Sequence, residues 1–252
     1  MYSIGENAFE GCTSLESIEI PATVESIGYG AFRNCTNLKS INIPASVQKI
    51  GVSAFEGCAS LESVVINECA KPMILSDNSF KDCTSLTSVT FEDHVIEEEI
   101  DKKDKDKDDK DIISDDEEII TEEKNNSVII GNNVFENCTS LTNVIMPERI
   151  KEIGMNAFFN CTDLVEVTLS TKLEKIGANA FSGCEKLTEI TIPLSVIKIE
   201  NAAFTTDLTI NVYFKENEIP QNFDEHWYEG NPTIVYDYQS VLDSQTPEEN
   251  PE

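Results

Sequence analysis

The sequence predicts an α/β-class solenoid of about eight 23-residue repeats, built mainly of short parallel β-strands with little helix and closed by a C-terminal cap. Three observations predict it. Phenylalanine recurs at Phe9, Phe32, Phe55, Phe80, Phe135, Phe158, Phe181 and Phe204, in steps of 23, 23, 25, 55, 23, 23 and 23. Three residues after each comes a cysteine (Cys12, Cys35, Cys58, Cys83, Cys138, Cys161, Cys184), until Asp207 takes that place in the last copy. Six residues after each comes Leu15, Leu38, Leu61, Leu86, Leu141, Leu164, Leu187 or Ile210.

The unit reads I-G-x-x-A-F-x-x-C-x-x-L-x-x-I-x-I-P-x-x-V-x-x. Its Leu-x-x-Ile-x-Ile part ends in strict alternation, the pattern of a short strand with one buried face. The proline that follows (Pro21, Pro44, Pro147, Pro193) ends strand pairing because it has no N–H to donate. The glycine of Ile-Gly is read as a tight-turn residue. A 23-residue unit cannot bury its apolar face alone, so it stacks on its own copies. At about 4.7–5 Å per coil, eight units rise roughly 40 Å.

Two segments depart from the repeat. The 55-residue step hides an insertion: Val95 is aligned with Val47 and Ile130 with Ile50, which leaves 96–127 as an acidic Asp/Lys-rich loop centred on 101–111. Its charge and scarcity of aromatics predict disorder. The solenoid therefore spans 1–204, interrupted by 96–127. Residues 205–236, with the alternating Leu208, Ile210, Val212, Phe214 and then Trp227 and Thr233–Tyr236, read as the final repeat strand and the cap. Residues 237–252 are expected to be a disordered acidic tail.

The run from Ile4-Gly5-Glu6-Asn7-Ala8-Phe9-Glu10-Gly11-Cys12 to Ile192-Pro193 resembles the BspA-like (Treponema pallidum-type) leucine-rich-repeat family over about residues 2–236. That resemblance implies a leucine-rich-repeat solenoid. It also implies a cell-surface or secreted protein that binds a host or neighbouring-cell surface protein. The alternative is an intracellular scaffold or regulator on the same repeat, because fold alone does not set function.

Composition narrows the classes further. A formal net charge of -29, from 47 acidic and 18 basic side chains, repels nucleic acid and anionic membranes. No run of 18 apolar residues spans a membrane. Met1 leads directly into repeat sequence, so the N-terminus reads as that of a fragment or a truncated gene product. A monomer is expected.

Candidate chemistry is sparse. Seven cysteines at one repeat position, with no C-x-x-C and two histidines, read as a buried row of free thiols rather than a zinc site or a disulfide ladder. The run beginning at Asp104 imitates an EF-hand loop but has Asp109 where glycine is needed and Asp115 where the bidentate glutamate belongs. The triplets Asn34-Cys35-Thr36, Asn137-Cys138-Thr139 and Asn160-Cys161-Thr162 match the N-glycosylation pattern but are also simply the repeat turn. His94 and His226 have no nucleophile motif beside them. The expectation is a non-enzyme without cofactor or metal.

Alternation makes Ser17 and Glu19 point outward if Leu15, Ile18 and Ile20 point in. Repetition gives two exposed columns: Ser17, Ser40, Ser63, Ser88, Asn143, Glu166, Glu189, and Glu19, Asn42, Val65, Thr90, Ile145, Thr168, Thr191. Val65 and Ile145 flank Thr90 in an apolar spot mid-stack. The candidate protein-contact residues are therefore Ser63, Val65, Ser88, Thr90, Asn143 and Ile145.

Overall fold

The computed structural model describes residues 2–92, 126–205 and 208–239. Most of the insertion expected at 96–127, and the tail beyond Gln239, lie outside the described residues. In chain order the strands are β1 (Tyr2–Ile4), β2 (Val24–Ile27), β3 (Ser40–Ile43), β4 (Lys49–Ile50), β5 (Ser63–Ile66), β6 (Met73–Leu75), β7 (Ser88–Phe91), β8 (Val128–Ile130), β9 (Asn143–Ile145) and β10 (Ile150–Ile153). They continue with β11 (Glu166–Thr168), β12 (Lys175–Ile176), β13 (Phe181–Ser182), β14 (Glu189–Ile192), β15 (Lys198–Ile199), β16 (Phe204–Thr205), β17 (Thr209–Val212), β18 (Tyr228–Glu229) and β19 (Thr233–Val235). All pairing is parallel and the chain makes about nine turns with almost no helix among the described residues, so the predicted solenoid is the fold.

Each turn contributes to two long faces. The Leu-x-x-Ile-x-Ile strands form one face, as a five-stranded sheet (β3-β5-β7-β9-β11) followed by a three-stranded one (β14-β17-β19). The opposite face is an eight-stranded sheet, β1-β2-β4-β6-β8-β10-β12-β15, which the sequence reading missed. Two of its strands, Val24–Ile27 and Ile150–Ile153, bury both ends and half-expose the middle, and three others are only two residues long, so these five carry no period-2 signal. They pair because the coil returns each backbone to the one before it.

The core is a set of columns. The eight phenylalanine rings stack at 5.0–5.7 Å, near parallel, from Phe9–Phe32 to Phe181–Phe204. Trp227 closes the column edge-on at 6.0 Å from Phe204, in a ninth, altered turn. The residue before a phenylalanine, small in most copies, accepts from the phenylalanine amide one coil back: Phe32 N donates to Ala54 O and Phe135 N to Ala157 O, at 2.7 and 2.8 Å. The cysteines are free, and six of them are buried in one column. Each of those thiols donates to the carbonyl of a phenylalanine one coil back, as Cys58 does to Phe32 at 3.2 Å and Cys161 to Phe135 at 3.2 Å. Cys12, in the first turn, is exposed.

One expectation is refined and two are corrected. The Ile-Gly glycines do open a turn, as in Ala54 N to Gly51 O at 3.2 Å, but not through a left-handed backbone. Gly51, Gly154 and Gly177 are there because a Cβ would lie 2.5–2.6 Å from backbone atoms of the preceding coil. The left-handed positions fall elsewhere, at Asn133, Asn137, Asn156 and Asn160 among others, and proline closes the next turn through its carbonyl (Val47 N to Pro44 O, 3.0 Å). The stretch Leu15–Ile20 is not a strand, since the first turn has a neighbouring coil on one side only; Leu15 and Ile18 are half-buried there. Val128 is fully buried and pairs with Ile150, so it fills the valine position assigned to Val95, which lies outside the described residues.

Candidate functional site

Register sets the strand face. Ser63 lies opposite Ser88, Val65 opposite Thr90, and Ser88 opposite Asn143. Ile145 ends β9, pairs with Thr168, and is 65% exposed. Thr90 and Asn143 are also exposed, whereas Ser63, Val65 and Ser88 are half-buried. The six candidate residues therefore share three adjacent strands with side chains on one side of the sheet. They do not share one pocket.

The β7–β9 ladder runs through Val89 and Val144 and then parts. A hollow of about 300 Å³ opens at that point, lined by Ser88, Thr90, Asn143 and Ile145 together with Phe91 and Pro147. Arg149 is buried near Phe91, which lines the hollow. Its Nη2 donates to the Glu92 carbonyl at 3.3 Å and its guanidinium lies 6.0 Å from the Phe91 ring centre. The sequence reading passed over Arg149. Its repeat position holds Thr23, Ser46, Lys172 and Ser195 in other copies, so a basic residue there gave only a weak signal.

A larger groove lies further along the same face. β11 and β14 pack side by side, yet among the described residues no strand ladder joins them. The space between them is about 980 Å³, with Glu166 and Glu189 on its floor and Val165, Pro193, Leu194 and Tyr213 on its walls. Val165 is 54% exposed and Leu194 76% exposed. This site too was missed, and it too had a repeat-internal signal. Val165 stands where other copies carry Glu16, Lys39, Glu62, Thr87, Thr142 and Thr188; Leu194 stands where they carry Ala22, Ala45, Glu148 and Thr171.

The column thiols are held protonated, chiefly by burial: Cys58 and Cys184 are pushed up to about 12, and Cys83, Cys138 and Cys161 well above the ordinary thiol range. His226 is exposed, 4.0 Å from an Asp224 oxygen and 3.7 Å from a Glu225 oxygen, and neither neighbour is a nucleophile it could activate. His94 lies outside the described residues. No group of three or more His, Cys, Asp or Glu side chains is placed to hold a metal ion among the described residues. No helix among them is long and apolar enough to cross a membrane.

Residues 2–102 and 120–231 match the model of the BspA type leucine rich repeat region, in six copies. No curated protein sequence matches the chain. Among solved structures, the leucine rich repeat protein of T. pallidum is 24% identical, with a TM-score of 0.51 over 73% of this chain and 71% of its own. A leucine-rich repeat protein from Eubacterium ventriosum is 25% identical, with a TM-score of 0.56 over 75% of this chain. The match spans 42% of that protein's length.

Proposed function

This chain belongs to the BspA-type leucine-rich repeat family, and on that premise we propose that it is a protein-interaction module, cell-surface or secreted, whose partner is a protein on a host or neighbouring cell. The observation that carries the reading is the strand face. It is a regular, outward-facing array of side chains, and Val65 and Ile145, flanking Thr90, interrupt its polar rows near a hollow. Placement at a surface follows the family resemblance and is part of the proposal. The buried, protonated thiols and the isolated His226 leave recognition as the better-supported activity.

The test is binding of the labelled full chain to intact host or neighbouring cells, compared with the double substitution Val65→Asp and Ile145→Asp. Burying two unpaired carboxylates in a contact patch is expected to weaken binding at least about tenfold. Equal binding by a folded double variant removes this patch from the interface. A second reading, an intracellular scaffold, is favoured by one observation: all eight cysteines are free, as suits a reducing compartment. Protease treatment of intact producing cells separates the two, since a surface protein is degraded and an intracellular one is spared.

A further inference from the structure

We propose that the groove between β11 and β14 binds an extended segment of a partner protein in which a lysine or arginine adjoins an apolar side chain. The cation meets Glu166 and Glu189, and the apolar group packs on Val165, Leu194 and Tyr213. The repeats supply the controls for this inference. The outward column that contains these two glutamates is uncharged in the other strands of the face: Ser40, Ser63, Ser88, Asn143. It becomes acidic only where the sheet splits. At the same place two wall positions that other copies fill with polar residues or alanine become valine and leucine, and both are exposed. Charge and apolarity therefore change together, at one groove, on an otherwise uniform surface.

The electrostatics favour a cation there. Glu189 Oε1 accepts from the buried Asn211 Nδ2 at 2.6 Å, and the same amide reaches Thr191 Oγ1 at 3.3 Å. A neutral amide orients this carboxylate without neutralising it. No lysine, arginine or histidine lines the groove. The net charge of -29 draws a basic segment in and repels a second copy of this chain or a nucleic acid. Two carboxylates with one neutral amide fall short of the six or more oxygen ligands a calcium ion takes. Apolar walls beside a charged floor suit the stem and head of a lysine or arginine, whose methylenes pack while the cation stays polar-paired.

This inference rests on the interaction-module reading, and the two can fail separately. Ten-residue peptides displayed on phage are selected on the full chain, then synthesised with a fluorophore and titrated by anisotropy. The expected winners carry Lys or Arg beside Leu, Ile or Phe. Their affinity falls about tenfold in the paired substitution Glu166→Gln and Glu189→Gln, and falls as salt is raised. It falls further with Leu194→Asp and is unchanged by Val65→Asp with Ile145→Asp. Glu166, Glu189 and Leu194 are exposed, so circular dichroism melting of the groove variants is expected to match wild type. Three results overturn the proposal: no enrichment, winners without a basic residue, or winners that keep their affinity in the groove variants. A dimer in sedimentation that Leu194→Asp dissolves also overturns it, because the occupant is then a second copy. A natural partner that responds to Val65→Asp with Ile145→Asp but not to the groove variants upholds the interaction reading and overturns the groove.

Discussion

The Cys138 thiol donates to the Phe80 carbonyl at 3.4 Å although 58 residues separate them, a bond that in the other turns spans 26 or 28. The Phe80 and Phe135 rings stack at 5.7 Å across the same step, and β6 pairs with β8 in register. The coil therefore resumes in register across this step. Deleting residues 96–122 is expected to leave the fold intact and to raise its melting temperature slightly. Each halving of a loop returns about 0.6 kcal/mol of closure entropy, and about two halvings are involved. At about 2–4 °C per kcal/mol, the gain is a few degrees in a thermal melt. A fall of more than a few degrees, or two separate transitions, would show that the segment holds the halves together.

Alkaline pH is expected to destabilise the stack through its thiols. Burial raises Cys58 and Cys184 to about 12 in the folded chain, from an ordinary value of 9.0. A raised folded pKa means that the native state keeps protons the unfolded state has released. The associated stability is complete below about pH 9 and is lost as pH rises towards 12. The slope is up to about 1.4 kcal/mol per pH unit for each such thiol. Urea midpoints measured between pH 7.5 and 10.5 should fall less steeply for Cys184→Ala than for wild type. Parallel slopes would place the alkaline sensitivity in other groups.

Two glycines at equivalent repeat positions should respond in opposite ways. A Cβ at Gly154 would lie 2.5 Å from the Gly131 carbonyl carbon and oxygen, whereas one at Gly5 meets nothing within 4 Å. Gly154→Ala must push two coils apart and is expected to cost about 2–4 kcal/mol. Gly5→Ala is expected to be neutral or to stabilise by up to about 1 kcal/mol, by restricting the unfolded chain. Denaturant unfolding of the two variants decides it. Equal effects would mean that glycine is required at this position by its backbone angles and not by coil approach.

The solenoid was legible because its signals are repeated side chains, and Phe32, Cys35 and Leu38 do occupy core columns with their copies. What escaped was whatever depends on the neighbouring coil. The eight-stranded sheet is built of strands as short as Lys49–Ile50, which present no alternation to read. The role of Gly154 is set by Gly131, 23 residues away, and not by its own turn. The six candidate residues from Ser63 to Ile145 could be placed on one face from alternation alone. The groove beside Leu194 could not, because the break between β11 and β14 has no local sequence mark. Val165 and Leu194 themselves do stand out from the polar or alanine residues at the same positions of other repeats.

Asn137 tests the left-handed columns. Its φ is +61°, and the same repeat position is held by Gly57 at +72°, Asp82 at +60°, Asn160 at +59° and Gly183 at +77°. Its amide donates to Asp82 Oδ1 at 2.7 Å and its oxygen accepts from Asn160 Nδ2 at 2.9 Å, so the column is also a side-chain ladder. Asn137→Gly keeps the backbone conformation and loses the two ladder bonds, about 1–3 kcal/mol at about 0.5–1.5 each. Asn137→Ala loses the same bonds and adds about 1–2 kcal/mol for placing a Cβ in left-handed backbone. Asn137→Val adds the further strain of a β-branched side chain there. The expected order of urea midpoints is wild type, Gly, Ala, Val. If Gly is no better tolerated than Ala, the ladder and not the backbone angle sets this position.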